Sequence, residues 1–391
     1  MKVLILHQYF NTPETGGPLR SFYLAKALAD KGITTSVITT HNANNFRKEI
    51  IDGIEVHYLP IPYSNSFGFF KRVASFLKFV FSIVKEAGQF KDYDVCYAIS
   101  TPLTIGLAAI WIKWRYKIPY VFEVGDLWPE APIQVGIVRN SVLKKILYQL
   151  ERSIYKRAKS VVALSEAIKT AIDKKVPGKR IEVIPNMADT AFYKPAEKNP
   201  ELEKKFNVSN KFVLSYIGTF GLANGLEHML DCAEAVKLDS GIHFILCGEG
   251  ARLPVLLEYA AKRKLSNVSF IPMQDRNGVN DVLNVTDAAF ISYQPLPVLE
   301  TGSPNKYFDA LAAGKMIVVN FDGWIKNEIE ENRCGIHVGS PQEFAKEILP
   351  VIQNREQLSH MQQRARSLAE STYSREQISD RFVRIFRVNL P

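Results

Sequence analysis

The segment 299–309, LETGSPNKYFD, brings three charged side chains, Glu300, Lys306 and Asp309, to one predicted turn. Its glycine and proline predict a helix that begins near Pro304. Backbone N–H groups at a helix start attract anions, Lys306 adds positive charge for a phosphate, and the Asp309 carboxylate can accept hydrogen bonds from both hydroxyls of a ribose. In the alternative interpretation, Asp309 only complements the positive end of the helix dipole.

Two further glycine-rich turns each follow an apolar run that predicts a strand. They lie in SYIGTFGLANG (215–225) and ILCGEGARL (245–253), and a predicted helix follows each of them. Backbone amides at such turns suit a nucleotide diphosphate, although tight turns that only connect a strand to a helix are the alternative. Because turns after parallel strands meet at one sheet edge, we expect these segments and 299–309 to lie together.

The first half of the chain has its own glycine turn. Gly16 and Gly17 precede an amphipathic helical pattern that ends at Gly32, and Arg20 lies one turn into that helix. Glycines let backbone N–H groups approach a ligand, and Arg20 suits contact with a phosphate or an acceptor. The pattern is not GxGxxG, so a turn that only joins a strand to a helix is the alternative.

Two carboxylates and a tryptophan follow another predicted strand, in VFEVGDLWPEAP (121–132). Asp126 and Glu130 can act as a general base or hold sugar hydroxyls. Trp128 offers a face on which a sugar ring or an apolar acceptor can stack. In the alternative interpretation, both carboxylates are solvated or cap a helix.

The elements that must position these residues form a repeating pattern. Short apolar runs alternate with helical patterns along the chain, which is typical of βαβ units and a parallel sheet. A stretch rich in proline, asparagine and charge interrupts the rhythm. We predict doubly wound α/β domains at 1–187 and 211–373 and a linker at 188–210. The helical pattern at 374–391 either caps the second domain or crosses back to the first.

Bulk composition excludes several protein classes. The 391 residues are 47% hydrophobic and 23% charged, as in globular proteins of two domains. The net charge of +9 favours an anionic partner, but the basic residues accompany apolar faces, which argues against nucleic acid. Four cysteines without CxxC spacing predict neither a metal site nor disulfides and fit a reducing cytoplasm. No apolar run suits a signal peptide or a spanning helix.

One helical pattern could lie on a membrane surface. Segment 67–89 predicts a helix with a broad aromatic face, and segment 111–117, WIKWRYK, adds aromatic and basic residues nearby. Such a helix can lie in a bilayer interface with its lysines at the head groups, or it can cover a sheet and expose one basic stripe. The predicted stripe comprises Lys71, Ser75, Lys78, Ser82, Lys85 and Gln89.

Taken together, these motifs resemble the family 4 retaining glycosyltransferases over nearly the whole chain. The segments 16–32, 183–195, 248–253 and 303–315 occur in that family's order and spacing. DLWPE and SPNK are most similar to its bacterial branch for O-antigen, capsule and exopolysaccharide assembly, and resemble N-acetyl-L-fucosaminyltransferases. The resemblance implies the GT-B fold: two facing Rossmann-like domains with the site in the interdomain cleft.

The resemblance also assigns roles to residues of this sequence. It implies that Asp126, with Glu130 as second choice, contacts the reacting sugar or the acceptor hydroxyl. It places Gly16, Arg20 and Trp128 at the acceptor. The implied donor-binding residues are Gly17, Gly218, Thr219, Asn224, Glu249, Arg252, Glu300, Thr301, Gly302, Ser303, Lys306 and Asp309.

The chain departs from the family's pattern at several of these positions. The family's two glutamates, separated by seven residues, fall on Thr301 and Asp309, and Glu300 is displaced by one residue. An arginine and a lysine that neutralise the diphosphate in the family are Thr219 and Asn224 here. We expect Lys306 and Arg252 to supply the missing charge. The family's histidine after YVFEV is replaced by Gly125.

By this resemblance we expect a metal-independent hexosyltransferase that needs no cofactor. Its donor would be a UDP-sugar rather than a GDP-sugar, carrying an N-acetylhexosamine or a deoxy derivative. Its acceptor would be a sugar linked to polyprenyl diphosphate, at the anionic inner face of the cytoplasmic membrane. The alternatives are a nucleotide-sugar epimerase of the same fold and a non-catalytic scaffold that binds nucleotide sugar. The oligomeric state is left open.

Overall fold

The structure of the protein is a computed structural model that describes residues 1–64 and 67–388. The last three residues of the predicted segment 374–391 therefore lie outside the described residues. The chain divides into two compact units. The first comprises 1–185, 301–303 and 376–391, and the second comprises 186–300 and 304–375.

These bounds differ from the predicted organisation at residues 301–303, which group with the first unit, and at the predicted linker. Residues 188–210 belong to the second unit, where a short helix covers part of the stretch that the sequence suggested as a linker. The C-terminal helix, from residue 376 onward, belongs to the first unit, which is one of the two alternatives for it. Its Phe382 and Phe386 rings contact the buried Tyr97 ring at centroid distances of 4.9 and 5.9 Å.

The first unit contains an eight-stranded sheet in the order β3-β4-β2-β1-β5-β6-β7-β8. Only β3 is antiparallel, paired with β4, and the other pairs are parallel. The central strands are apolar and buried throughout, as expected when helices cover both faces. The strands are β1 (Lys2–Leu6), β2 (Thr34–His41), β3 (Arg47–Ile51), β4 (Ile54–Pro60), β5 (Val95–Ile99), β6 (Tyr120–Val124), β7 (Ser160–Ala163) and β8 (Ile181–Val183).

Six helices connect these strands. Several begin at a side chain that caps a free backbone N–H, as Asn140 does for Leu143 and Ser165 does for Ile168. The helices are α1 (Arg20–Asp30), α2 (Phe69–Glu86), α3 (Ile105–Tyr116), α4 (Glu130–Gln134), α5 (Ser141–Arg157) and α6 (Glu166–Lys175), and a 3₁₀ turn at Ala87–Phe90 extends α2.

The second unit contains a six-stranded, wholly parallel sheet in the order β11-β10-β9-β12-β13-β14. Its strands are β9 (Phe212–Ile217), β10 (Ile242–Cys247), β11 (Val268–Ile271), β12 (Ala288–Ile291), β13 (Met316–Val319) and β14 (Gly335–His337). Its helices are α7 (Pro200–Lys205), α8 (Glu227–Ala235), α9 (Leu253–Arg263), α10 (Arg276–Val285), α11 (Asn305–Ala312), α12 (Trp324–Glu331), α13 (Pro341–Gln353) and α14 (Arg355–Thr372), and α15 (Arg375–Val388) follows.

In each sheet the strand order reverses at one point. Chain order runs outward from β1 in one direction and from β5 in the other, and likewise from β9 and β12. Loops after such neighbouring strands diverge to opposite faces and leave a crevice at the carboxyl edge, where ligands of doubly wound sheets bind. The fold therefore points to the loops after β1 and β5 and to those after β9 and β12.

Two predicted absences can be compared with the described residues. No helix in the described part of the chain is long and apolar enough to cross a membrane. The four cysteines, all of them described, are free and buried. Burial raises the pKa of the Cys247 thiol to about 11 and of the Cys334 thiol to about 12.

Close packing of α3 on α5 depends on one glycine. A Cβ atom at Gly106 would lie 2.4 to 2.8 Å from side-chain atoms of the fully buried Ile154. We expect Gly106→Ala to lower the free energy of unfolding by about 1–3 kcal/mol, because overpacking outweighs the gain in helix propensity. Chemical denaturation measures this change. In an Ile154→Ala background the same substitution should be neutral or stabilising, and equal losses in both backgrounds would contradict the packing argument.

Candidate functional site

The carboxyl edge of the second sheet is built from two turns that pack backbone against backbone. Gly218 N–H donates to the Cys247 carbonyl at 2.9 Å, and Phe220 N–H donates to the Glu249 carbonyl at 2.8 Å. A Cβ at Gly248 would lie 1.9 Å from the Gly218 carbonyl oxygen. These glycines are therefore required by the contact between the turns, and the N–H groups of Gly218 and Phe220 are already donated within the protein.

Lys306 from α11 reaches the first of these turns. Its Nζ donates to the Tyr216 hydroxyl at 2.6 Å and lies 3.9 Å from the centroid of the Tyr216 ring. A Cβ at Gly218 would lie 3.3 Å from the same nitrogen, so only glycine leaves this approach open. Loss of water around the half-buried amine lowers the pKa of Lys306 to about 7. A bound phosphate would restore the ammonium form.

Asp309 lies one turn further along α11. Burial raises the pKa of its carboxyl group to about 7 against the lowering effect of Arg276, and the nearby Asp189 adds a smaller upward contribution. Within the described part of the chain no residue donates a hydrogen bond to this carboxylate. A desolvated carboxylate in this state is suited to accept hydrogen bonds from a ligand.

Arg276 and Asp189 form an ion pair that the sequence did not single out. Arg276 donates to the buried Asp189 carboxylate, and its guanidinium lies 3.8 Å from the centroid of the Phe192 ring. Arg375 lies 3.6 Å from the same carboxylate. Arg276 is the first residue of α10. Asp275 caps this helix by accepting from the Gly278 N–H, and such a cap is a local sequence signal for where Arg276 lies. The two members of the pair act on the pKa of Asp309 in opposite directions, Arg276 lowering it and Asp189 raising it.

Other predicted donor residues have roles within the protein. Arg252 forms an ion pair with Glu227, which occupies one side of its guanidinium. The Asn224 side chain accepts from Gly221 N–H at 3.2 Å, which closes the turn before α8. Thr219 and Glu249 are exposed, and their carbonyl oxygens accept the hydrogen bonds that hold the two turns.

The segment that precedes α11 is tightly packed. Glu300 lies in a 3₁₀ turn, and its carbonyl oxygen would be 2.7 Å from a Cβ at Gly323. Gly302 and Ser303 are buried, and the Thr301 carbonyl accepts a hydrogen bond from Ser165 Oγ at 2.7 Å. Residues 301–303 group with the first unit, while Lys306 and Asp309 belong to the second.

In the first unit Arg20 has hydrogen-bond partners within the protein. Its guanidinium makes a bidentate ion pair with the buried Glu123, at 3.0 and 2.9 Å, and also donates to the carbonyls of Ile184 and Pro185. Tyr97 donates to the same carboxylate. These four hydrogen bonds hold the Arg20 guanidinium within the protein, so we predict a structural role for it in place of a ligand contact. The sequence missed Glu123 since it lies inside the apolar run of β6.

The carboxylates after β6 differ in their surroundings. Glu130, the first residue of α4, accepts from Gln134 at 2.9 Å and from the Tyr148 hydroxyl at 2.8 Å. Asp126 is exposed, and although surrounding protein raises its pKa, much of its surface faces water. Trp128 between them is half-buried. Of the two predicted catalytic carboxylates, Asp126 alone is left without a hydrogen bond from the described residues.

The glycine turn before α1 is open. Gly16 and Gly17 have φ values of +70° and +86°, and a Cβ at Gly16 would meet no atom within 4 Å. The residue before α1, Leu19, offers no side-chain cap to the first N–H groups of the helix. The Gly16 N–H donates to the Thr12 carbonyl at 3.0 Å, so this amide is already used within the protein.

The solvent-facing side of α2 carries both aromatic and basic residues. Phe70, Leu77 and Phe81 are 86%, 41% and 66% exposed, and Lys71, Lys78 and Lys85 are exposed beside them. The basic stripe predicted along this helix is wrong at Ser75, which is buried and accepts a hydrogen bond from Gln8 Nε2 at 3.1 Å. We call these six exposed residues the α2 face. On α3, Trp114 is 68% exposed.

Sequence comparisons agree with this architecture. The model of Glycosyltransferase Family 4 matches residues 16–192, and the model of Glycosyl transferases group 1 matches residues 198–368. The chain belongs to the family 4 glycosyltransferases. This glycosyltransferase is 23% identical to the colanic acid biosynthesis glycosyl transferase WcaI of Escherichia coli K12, over 68% of this chain and 67% of that protein. It is 21% identical to the alpha-maltose-1-phosphate synthase of Mycolicibacterium smegmatis, over 60% of this chain and 61% of that protein.

Solved structures show that the glycosyltransferase has the GT-B fold. The sucrose-phosphate synthase of Thermosynechococcus elongatus matches with a TM-score of 0.79 and 14% identity, over 99% of this chain and 98% of that one. The HepE protein of Anabaena, solved with UDP-glucose, matches with a TM-score of 0.74 and 19% identity, over 99% and 100% of the two chains. The predicted fold class and family are confirmed.

The structural role of Arg20 can be tested by substitution. Arg20→Met leaves the Glu123 carboxylate buried without its partner, so we expect the free energy of unfolding to fall by about 3–5 kcal/mol. An unpaired buried carboxylate has a raised pKa in the folded state, so the loss should be smaller at pH 5 than at pH 7. Chemical denaturation of both proteins at pH 5 and at pH 7 measures this loss of stability.

A second substitution separates the two roles of Arg20. Glu123→Gln added to Arg20→Met removes the buried charge and should restore part of the stability. If Arg20→Met instead kept the full stability of the glycosyltransferase and only weakened ligand binding, Arg20 would be a ligand contact after all.

Proposed function

We propose that this glycosyltransferase is a retaining enzyme that moves a sugar from a UDP-sugar to an acceptor linked to polyprenyl diphosphate, in the synthesis of a cell-surface polysaccharide such as O-antigen or capsule. One observation carries the proposal. Lys306 and Asp309 lie three residues apart on α11 and are half-buried, Lys306 beside the turn after β9, and the pKa of each is shifted to about 7. An amine and a carboxylate in that state suit the diphosphate and the ribose of one nucleotide.

Two comparisons support the donor and the pathway. The HepE neighbour was solved with UDP-glucose, and the relative WcaI is named for colanic acid biosynthesis, a polysaccharide pathway. We therefore favour UDP over GDP. The choice of an N-acetylhexosamine or a deoxy derivative as the sugar rests on the sequence resemblance to N-acetyl-L-fucosaminyltransferases. Lys306 would neutralise the departing diphosphate without a metal ion or cofactor, since stabilising developing negative charge is what such a site must do.

We assign the reacting-sugar contact to Asp126. It is the exposed carboxylate after β6, whereas Glu130 is held by Gln134 and Tyr148. The open glycine turn at Gly16 and Gly17 would receive the acceptor, and Trp128 would stack on it.

A lipid-linked acceptor requires that the enzyme reach a membrane surface. The α2 face combines exposed aromatic side chains with lysines, the composition of a helix that lies in a bilayer interface. Trp114 on α3 and Val142 and Ile146 on α5 extend the exposed apolar area of the same unit. We place the enzyme at the inner face of the cytoplasmic membrane, where anionic lipids attract lysines.

The reaction is tested with a panel of UDP- and GDP-sugars and a short polyprenyl-diphosphate-sugar acceptor. We expect mass spectrometry to show an acceptor heavier by one sugar with a UDP-sugar only, and Asp126→Asn to abolish this product while leaving UDP affinity within a few-fold. An isomerised donor in the absence of acceptor would instead support the epimerase alternative. Nucleotide-sugar binding without any product from the panel would support a scaffold.

Donor affinity should depend on pH in a defined way. Below about pH 7 the Asp309 carboxylate becomes protonated and no longer accepts ribose hydroxyls, and above about pH 7 Lys306 loses the charge that binds the diphosphate. Affinity for UDP-glucose, measured by isothermal titration calorimetry, should therefore be highest near neutrality. Each limb should fall about tenfold for each pH unit beyond the shifted value.

Two variants assign the limbs of this profile. Asp309→Asn should weaken binding by about 10- to 100-fold and flatten the acidic limb, while Lys306→Met should flatten the alkaline limb. Lys262→Met, at an exposed position of the same unit, is the matched control and should change neither. A pH-independent affinity in the wild-type protein would remove both residues from the site.

Membrane attachment makes a separate prediction. The protein should sediment with vesicles that contain anionic phospholipid, and added salt should release it because exposed lysines contribute. Phe70→Ser with Phe81→Ser should weaken this binding at least tenfold, because each ring is worth about 1.5–3 kcal/mol when buried in lipid. Leu238→Ser, at a 96% exposed position of the second unit, is the control. Equal vesicle binding by all three proteins would exclude the α2 face as the contact.

A further inference from the structure

Tyr216, a residue of β9 that the sequence analysis did not single out, joins two parts of the candidate nucleotide site. Its hydroxyl accepts a hydrogen bond from Lys306 Nζ at 2.6 Å and donates one to the Thr219 carbonyl at 2.8 Å. The hydroxyl has a single proton, and a lysine amine nitrogen carries protons to donate, so this direction of the two bonds is the one that satisfies all three groups.

The ring of Tyr216 is fixed by the core of the second unit. It is fully buried, belongs to the same apolar cluster as Phe220, Phe244 and Phe290, and lies 6.1 Å from the Phe220 ring. Burial also raises the pKa of its hydroxyl well above the ordinary value, so the group stays protonated and neutral. The hydroxyl is therefore a rigid, uncharged hydrogen-bonding point below the Lys306 amine.

The ring contributes a second attraction to the amine. Lys306 Nζ lies 3.9 Å from the ring centroid, within the range in which the negative face of an aromatic ring attracts a cation. The amine cannot leave this position without losing both the hydroxyl acceptor and the ring face. The position of the Lys306 amine thus depends on this one neighbour.

We propose that Tyr216 is a positioning residue for the donor diphosphate. It holds the Lys306 ammonium beside Gly218 and, through Thr219, fixes the turn to which the diphosphate is brought, so that the cation and the turn present one preset surface. The inference rests on the proposed binding of a nucleotide sugar at this site and extends it to a residue that does not itself touch the ligand.

Tyr216→Phe is the direct test, because it keeps the ring and removes only the hydroxyl. We expect affinity for UDP-glucose at neutral pH to fall about tenfold, since Lys306 loses its acceptor and the turn loses its donor. The alkaline limb of the affinity profile should also move to lower pH, because an ammonium without its acceptor loses its proton more easily. If Tyr216 only supported the fold, Tyr216→Phe would not shift the alkaline limb.

A double-mutant cycle shows whether Tyr216 acts through Lys306. In a Lys306→Met background, Tyr216→Phe should cost far less affinity than in the wild-type protein, since the main interaction is already absent. Tyr120→Phe is the matched control, because the Tyr120 hydroxyl also donates to a buried carbonyl, that of Ile154 at 2.6 Å, but in the first unit. It should leave UDP-glucose affinity and the alkaline limb unchanged.

The outcomes separate this inference from the proposed function. If the wild-type protein and Lys306→Met differ in UDP-glucose affinity but Tyr216→Phe matches the wild type, the positioning role is wrong and the donor assignment stands. Strictly additive losses in the cycle would also overturn it. If the wild-type protein binds neither UDP nor UDP-glucose, the donor assignment and the inference fall together. Should Tyr216→Phe not fold, 3-fluorotyrosine at position 216 keeps the hydroxyl but weakens it as an acceptor, and an unmoved alkaline limb would then contradict the proposal.

Discussion

The direct backbone contact between the turns after β9 and β10 is the constraint on which the candidate nucleotide site depends. Gly248 and Gly250 allow the second turn to approach the carbonyls of Gly218 and Phe220 more closely than any side chain would permit. That approach determines where Gly218 lies, and the absence of a side chain at Gly218 determines how near the Lys306 amine can come. The close approach of the Lys306 amine to this turn therefore depends in part on glycines that are distant from it in sequence.

A second constraint, of a different kind, organises the first unit. Arg20 and Glu123 place opposite charges in a region from which water is excluded, and burial there keeps the pKa of the adjacent His7 at about 4, so the imidazole is neutral. The guanidinium also holds the carbonyls of Ile184 and Pro185, the last residues of that unit's main segment. The charged pair thus connects the start of α1, the centre of the sheet and the end of this segment of the chain.

Much of this fold was predictable from the sequence, because strands buried on both faces are short apolar runs. Two strands are not short apolar runs, and each differs from that pattern for a physical reason. The edge strand β3 is RKEII, mostly polar and exposed, and joins β4 through an Asp52-Gly53 turn with positive φ at both residues, while β14 is only three residues long. For the site, the position of α11 and the importance of Lys306 and Asp309 followed from local spacing. The ion pairs of Arg20 with Glu123 and of Arg252 with Glu227 could not be predicted, because each joins residues that are far apart in the chain. The same holds for the pairing of Tyr216 with Lys306.

The buried cysteines have a practical consequence. All four thiols are enclosed in the two cores, and burial raises the pKa of each, so none presents a thiolate to solvent near neutral pH. We therefore expect the folded natural chain not to react with thiol-reactive reagents. A cysteine introduced at an exposed position, on α2 or beside α11, would then supply a reactive thiol at that position. Fluorophores or spin labels could then be attached at chosen points without first removing any native residue.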